Sequence, residues 1–286
     1  MPTWSPYAPD RTEHTVSGTV LVSPDIYSPQ LENSRDVFVY LPPTYTSSSR
    51  RYPVIYMHDG QNVFDDATSY AGEWHVDETF ESLHDEGLEA IVVAIANIGD
   101  ARITEYNPYT SSRFGAARGE AYVQFIIYTL KPMIDAEFRT LPGSESTAIA
   151  GSSMGGLVSL YAWLAYPHVF GLCAAMSPSL WIARGAAIDH AAHAHLNAGR
   201  LYLDIGAKEL PRRFSRYVGG VNDAVQRLYD QLRKRGIPQS RLMLVRDKQG
   251  EHNEASWARR FPNAIRFLLG DGVTLQSTAK GRGRAP

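Results

Sequence analysis

The chain has 286 residues, 44% of them hydrophobic and 20% charged, which is enough to bury a full core without support from disulfides or metals. Its 28 basic and 30 acidic residues leave a formal charge of −2, which excludes the broad positive field that non-specific nucleic-acid binding requires. The single cysteine, Cys173, excludes an intrachain disulfide and a cysteine-rich zinc site.

Residues Met1 to Arg11 are polar and proline-rich and lack the charged start and apolar core of a secretory signal. The apolar runs are short, Ala90–Ala96 being typical, so no membrane span is expected, and the cytoplasm is the expected compartment. Residues 1–15 read as an N-terminal extension. Ser17–Ser23 and Arg35–Leu41 alternate polar and apolar residues, as antiparallel strands at a sheet edge do. Pro53–His58, Ala90–Ala96, Thr147–Ala150, Leu172–Met176, Leu201–Ile205 and Arg241–Val245 are more continuously apolar, the pattern of strands covered on both faces. Helical patterns lie between them at Glu73–His84, Arg118–Glu137, Met154–Ala165, Val221–Arg235 and Glu254–Leu269. In the last of these, Trp257, Phe261, Ile265 and Leu268 form one stripe.

This alternation predicts an α/β fold in one domain over residues 16–270, with a mostly parallel eight-stranded sheet and helices on both faces. Asp100–Gly119 carries few helix or strand signals and reads as a loop beside the carboxyl end of the sheet, where α/β proteins bind ligands. Residues 271–286, glycine-bearing and basic, read as a disordered tail.

Gly151-Ser152-Ser153-Met154-Gly155-Gly156 fits G-x-S-x-G with Ser153 at its centre. A predicted strand enters it and a predicted helix leaves it, which is the context a nucleophile elbow requires. The turn strains the serine backbone, so its neighbours must be small, and Gly151 and Gly155 satisfy that.

A serine hydroxyl needs a base to become nucleophilic at neutral pH. His252, in Gly250-Glu251-His252-Asn253-Glu254, follows the last predicted strand and is the one histidine beyond His195. The acid is expected after the strand Leu201–Ile205. Glu209 is the favoured candidate, with Asp204 and Asp247 as alternatives. For the oxyanion, one donor is expected from the N–H of Met154, at the helix start, and the other from Gln61 in the turn His58-Asp59-Gly60-Gln61-Asn62, where Gly60 relieves crowding. His58 ends a buried strand and reads as a structural hydrogen-bonding group. His190, His193 and His195 lack an accompanying carboxylate motif and read as surface histidines rather than a metal site.

Taken together, Tyr56-Met57-His58-Asp59-Gly60-Gln61-Asn62, the Ser153 elbow, Met176-Ser177-Pro178-Ser179 and Gly250-Glu251-His252-Asn253 resemble the Putative esterase branch of the α/β-hydrolases. That branch includes esterase D, feruloyl, acetylxylan and enterochelin-type esterases and the mycobacterial mycolyltransferases. The resemblance covers about residues 16 to 270. It implies Ser153 as nucleophile, His252 as base, Glu209 as acid by position, and Gln61 and Met154 as oxyanion donors. It also implies no separate lid domain, so that specificity would come from loops, with Arg102, Tyr106 and Trp181 as candidate substrate contacts. Arg102 and Glu105, three residues apart, could instead pair with each other.

The expected function is therefore a serine esterase that works through an acyl-enzyme on a small or moderate-sized ester, aryl, sugar-acyl or siderophore-type. No metal and no organic cofactor is needed for that chemistry. The rival readings are an acyltransferase to a sugar or alcohol and a non-catalytic binding protein on a hydrolase fold. The intact Ser153, His252 and glycines argue against the latter.

Overall fold

The computed structural model describes residues 3–8, 14–110, 116–209 and 221–270. The described strands are β1 (Ser5–Pro6), β2 (Thr19–Ser28), β3 (Asn33–Leu41), β4 (Val54–His58), β5 (Ile91–Ile95), β6 (Thr147–Ser152), β7 (Leu172–Met176), β8 (Arg200–Gly206) and β9 (Leu242–Asp247). They form one sheet in the order β1-β2-β3-β5-β4-β6-β7-β8-β9. β1, β2 and β3 pair antiparallel, as does β3 with β5, and every pairing from β5 through β4 to β9 is parallel. The sheet thus has nine described strands rather than eight. The added one, Ser5–Pro6, lies inside the stretch read as an extension and has too few residues for a pattern to show.

The helices are α1 (Val76–Leu83), α2 (Arg102–Glu105), α3 (Gly119–Phe125), α4 (Lys131–Glu137), α5 (Met154–Ala165), α6 (Ala186–His193), α7 (Val221–Lys234) and α8 (Glu254–Leu269). A π-helical turn, Ile126–Leu130, joins α3 to α4. Two of the helices went unread in the sequence. The short α2 breaks the expected Asp100–Gly119 loop, and α6 occupies the alanine-rich histidine segment. The expected tail, 271–286, lies outside the described residues.

Every residue of β4, β5, β6 and β7 is buried, which explains their continuously apolar sequences. One face of the sheet packs Tyr56, Ile149 and Leu203 against Tyr122 of α3, Leu157 of α5 and Val225 of α7. The other packs Ile55, Val92 and Tyr202 against Phe80 of α1 and Trp257 and Phe261 of α8. The chain moves outward from β4 to β5 in one direction and from β6 to β9 in the other. The β4–β6 pair is therefore the switch point, and a crevice opens beyond the carboxyl ends of these two strands.

Candidate active site

β6 runs to Ser152 and α5 starts at Met154, leaving Ser153 at the sharp turn with φ 55° and ψ −117°. A non-glycine residue held there costs on the order of 1–3 kcal/mol, so the surroundings must enforce it. They do so by hydrogen bonds, since Ser153 N–H donates to the Met176 carbonyl at 3.0 Å and the Ser153 carbonyl accepts from Ser179 N–H at 3.0 Å. The glycine at 151 is fixed by close approach, because a Cβ there would lie 2.7 Å from Cδ2 of His58.

His252 arrives from the opposite side, on the loop between β9 and α8. Asn253 caps α8 by accepting the Ser256 N–H at 3.0 Å, which fixes the chain direction just after the histidine. The imidazole stands edge-on to Trp257, with ring centroids 5.0 Å apart. Nε2 lies 2.9 Å from Ser153 Oγ, and Nδ1 lies 3.0 Å from Oε2 of Glu209. Three segments far apart in sequence thus meet in one hydrogen-bonded line.

Glu209 is itself held. Its Oε1 accepts from Gly206 N–H at 2.6 Å and from the Ser177 hydroxyl at 2.5 Å, leaving Oε2 for the histidine. Ser177 Oγ in turn accepts from Trp257 Nε1 at 3.0 Å and Arg260 Nη2 at 2.9 Å. The other two acid candidates are engaged elsewhere. Asp204 is fully buried and accepts Arg260 Nε at 2.8 Å and Ser177 N–H at 2.9 Å. Burial raises its pKa to about 6, against the pull of Arg260. Asp247 pairs with Arg259 at 2.5 Å. Sequence reasoning missed Ser177 and Arg260 as supports of the Glu209 carboxylate. A visible signal was Arg260, a charge sitting next to Phe261 and three residues from Trp257 on the helix's apolar face.

The turn expected to supply the second oxyanion donor follows β4. Asp59 takes the left-handed conformation (φ 57°) and Gly60–Asn62 form a 3₁₀ turn. Gly60 is required by proximity to β5, since a Cβ would lie 2.7 Å from the Ala96 nitrogen. The Gln61 side chain is tied back, its Oε1 accepting the Asn97 N–H at 3.1 Å. Met154 is the first residue of α5, where the N–H has no acceptor within the helix.

His58 lies beneath this turn. Ser159 donates its hydroxyl to the Gly155 carbonyl at 2.8 Å, so it accepts from His58 Nε2–H at 3.0 Å, and Nδ1 then accepts the Tyr122 hydroxyl at 2.8 Å. Burial drives the His58 pKa down to about 3. The ring is a neutral strut.

The three expected substrate contacts separate. Arg102 lines the cavity, but its guanidinium grips Asp59 at 2.6 and 2.8 Å rather than pairing with Glu105. Glu105 is instead buried against Arg35 at 3.0 Å. Tyr106 is fully buried, and its hydroxyl accepts the Asp59 N–H at 3.1 Å. It supports the turn from behind and has no surface to offer a substrate. Trp181, 37% exposed, is not among the residues that line the cavity. His190 is also corrected, since it is half-buried beside the Tyr109 hydroxyl at 3.1 Å rather than on the surface.

The cavity over Ser153 and His252 encloses about 730 Å³, within the range typical of small-molecule sites. Tyr70, Trp74 and Trp257 give it an aromatic wall, while Asp59, Arg102 and Glu254 give it a charged one. Burial raises the pKa of Glu254 above the usual carboxylate value.

The model of the family described as Putative esterase matches residues 28–268. The chain belongs to that family. Over 251 residues it is 26% identical to the uncharacterized protein YbbA of Bacillus subtilis, covering 83% of this chain and 93% of that one. Two solved structures share its fold. A ferulic acid esterase superposes with a TM-score of 0.66 at 18% identity, covering 87% of this chain and 97% of that one. The enterobactin esterase of Shigella flexneri superposes with a TM-score of 0.68 at 22% identity, and there 92% of this chain spans 60% of the other. No described helix is long and apolar enough to cross a membrane.

Proposed function

We propose that this member of the esterase family is a serine carboxylic-ester hydrolase acting through an acyl-enzyme. The observation that carries the reading is the line Ser153 Oγ, His252 Nε2, His252 Nδ1, Glu209 Oε2, at 2.9 and 3.0 Å. Ser153 Oγ attacks the ester carbonyl carbon while His252 Nε2 takes the hydroxyl proton. Glu209 fixes the Nδ1–H tautomer and stabilises the imidazolium without accepting its proton. The tetrahedral oxyanion meets the N–H groups of Gln61 and Met154, both fixed before the reaction begins. Collapse breaks the bond to the alcohol, which leaves with the proton from His252. Water then attacks the acyl carbon, giving its proton to His252, and the acid departs as Ser153 regains its hydrogen.

The His252 side chain is 39% exposed, so water reaches the base directly. That favours hydrolysis over transfer to a second alcohol. The cavity suits a small or moderate-sized ester, with the aromatic wall taking an aryl or apolar portion and the charged wall a polar one. Relatives named for ferulate and enterobactin esters fit that range.

The test is Ser153→Ala. It should lower p-nitrophenyl acetate hydrolysis on the order of 10⁴-fold or more and abolish labelling by a fluorophosphonate, with the thermal unfolding profile retained. Turnover and labelling at the wild-type level would sink the proposal.

A further inference from the structure

Glu73, His75 and Glu78, none of which lines the cavity, converge where the chain enters α1. His75 takes the left-handed conformation (φ 51°), which brings its ring back between the two carboxylates. Its Nδ1 lies 3.4 Å from Oε2 of Glu73 and 3.4 Å from Oε1 of Glu78. One ligand atom from each of the three residues falls within 4.8 Å of the others. The Glu73 side chain is 1% exposed, and while its Oε2 faces His75 its Oε1 has no hydrogen-bond partner; the Glu78 carboxylate lies against the Asp77 carboxyl. A buried carboxylate oxygen without a donor costs several kcal/mol unless a positive charge or proton compensates it. Among the described residues no lysine or arginine pairs with either glutamate.

We propose that Glu73, His75 and Glu78 bind a divalent cation of the zinc class, which ties the N-terminal segment to the wall of the cavity. Zinc bonds of about 2.0–2.1 Å set tetrahedral ligand edges of roughly 3.3 Å, and both histidine–carboxylate separations are 3.4 Å. An imidazole nitrogen among two carboxylates suits zinc or a similar transition metal rather than calcium, which takes oxygen ligands. The His75 side chain is 52% exposed, leaving an entry path and room for a water as fourth ligand. The structural consequence follows from the neighbours. Glu73 also accepts the Thr15 hydroxyl at 2.5 Å, so the cation would anchor the segment before β2. Trp74, between two of the ligands, lines the cavity and packs 5.8 Å from Trp257.

The full chain, produced without a polyhistidine tag and stripped with chelator, is loaded with Zn²⁺ and analysed by mass spectrometry for metal content. A parallel sample receives Co²⁺ and is read by visible absorption. The wild type should retain one equivalent of zinc and give the intense spectrum of four-coordinate cobalt. His75→Asn, which tolerates the left-handed backbone, and Glu78→Gln should each bind at least tenfold more weakly and lose that spectrum. His252→Ala should bind as the wild type does, which separates this site from the triad. Unfolding of the metal-free variants, compared with metal-free wild type, shows that they are folded. No bound equivalent in the wild type, or full binding by both variants, would overturn the proposal. Because the readout is metal content and cobalt coordination, its failure is distinct from a failure of the esterase reading.

Discussion

Glu209 shows how one oxygen can be left free by occupying the other. Gly206 N–H and the Ser177 hydroxyl both point at Oε1, at 2.6 and 2.5 Å, so Oε2 is presented to His252 Nδ1 at 3.0 Å. Replacing this carboxylate by its amide keeps the size but permits donation toward Nδ1, which favours the tautomer with the proton on Nε2, the wrong nitrogen for the proposed base. Glu209→Gln should therefore lower kcat on the order of 10³–10⁴-fold, with KM changed only a few-fold, in steady-state assays with an activated aryl ester. A kcat within tenfold of the wild type would show that His252 works without this acid. The same residue marks the limit of sequence reading. Its place just after a predicted strand singled it out from Asp204 and Asp247 only as the favoured candidate. What distinguishes the three is where Arg260 and Arg259 sit, on a helix that lies some fifty residues beyond Asp204 and Glu209 along the chain.

At the scale of elements, the parts that could be read were those encoded locally. Strands buried on both faces announce themselves as apolar runs, and the elbow combines a glycine pattern with the strand and helix that flank it. α2 and α6 were missed for the complementary reason: α2 has four residues, and α6 is written mainly in alanine and histidine. The turn after β4 was located by sequence, but its supports, Arg102 on Asp59 and Tyr106 behind it, come from forty residues downstream. The turn offers a direct test of how tightly that arrangement is packed. In Gly60→Ala the new Cβ would lie 2.7 Å from the backbone at Ile95 and Ala96, and strand backbone cannot swing aside as a long side chain can. Overpacking of this kind costs about 1–3 kcal/mol. Because the displaced turn carries the proposed Gln61 donor, kcat should fall on the order of 100-fold, measured beside the thermal midpoint. A variant that keeps full activity would mean that the turn has slack and that Gln61 is not placed by it.

For the whole molecule, the choice of a histidine as the strut under the site sets a direction for acid stability. In the fold His58 is buried with both nitrogens engaged, and its pKa falls to about 3 from an ordinary value of 6.5. Above about pH 6.5 the ring is neutral in both folded and unfolded chains and contributes no pH dependence. As pH falls from 6.5 toward 3, the unfolded chain takes up a proton that the folded chain refuses, so stability declines by up to ~1.4 kcal/mol per pH unit. Asp204 acts in the opposite sense. With its carboxyl raised from 3.8 to about 6, the folded chain binds the proton first in that window, and stability from this group increases as pH drops. The net profile of the wild type mixes the two, so the informative quantity is a difference in slopes. Urea unfolding of the wild type and of His58→Gln at pH 7 and pH 4.5 supplies it. The glutamine has no titrating group, and whatever it costs in packing is the same at both pH values. The variant should lose about 2–3 kcal/mol less than the wild type between the two conditions. Parallel losses would mean that the ring is protonated in the fold after all, with the hydrogen bond at Nδ1 reversed so that the Tyr122 oxygen accepts.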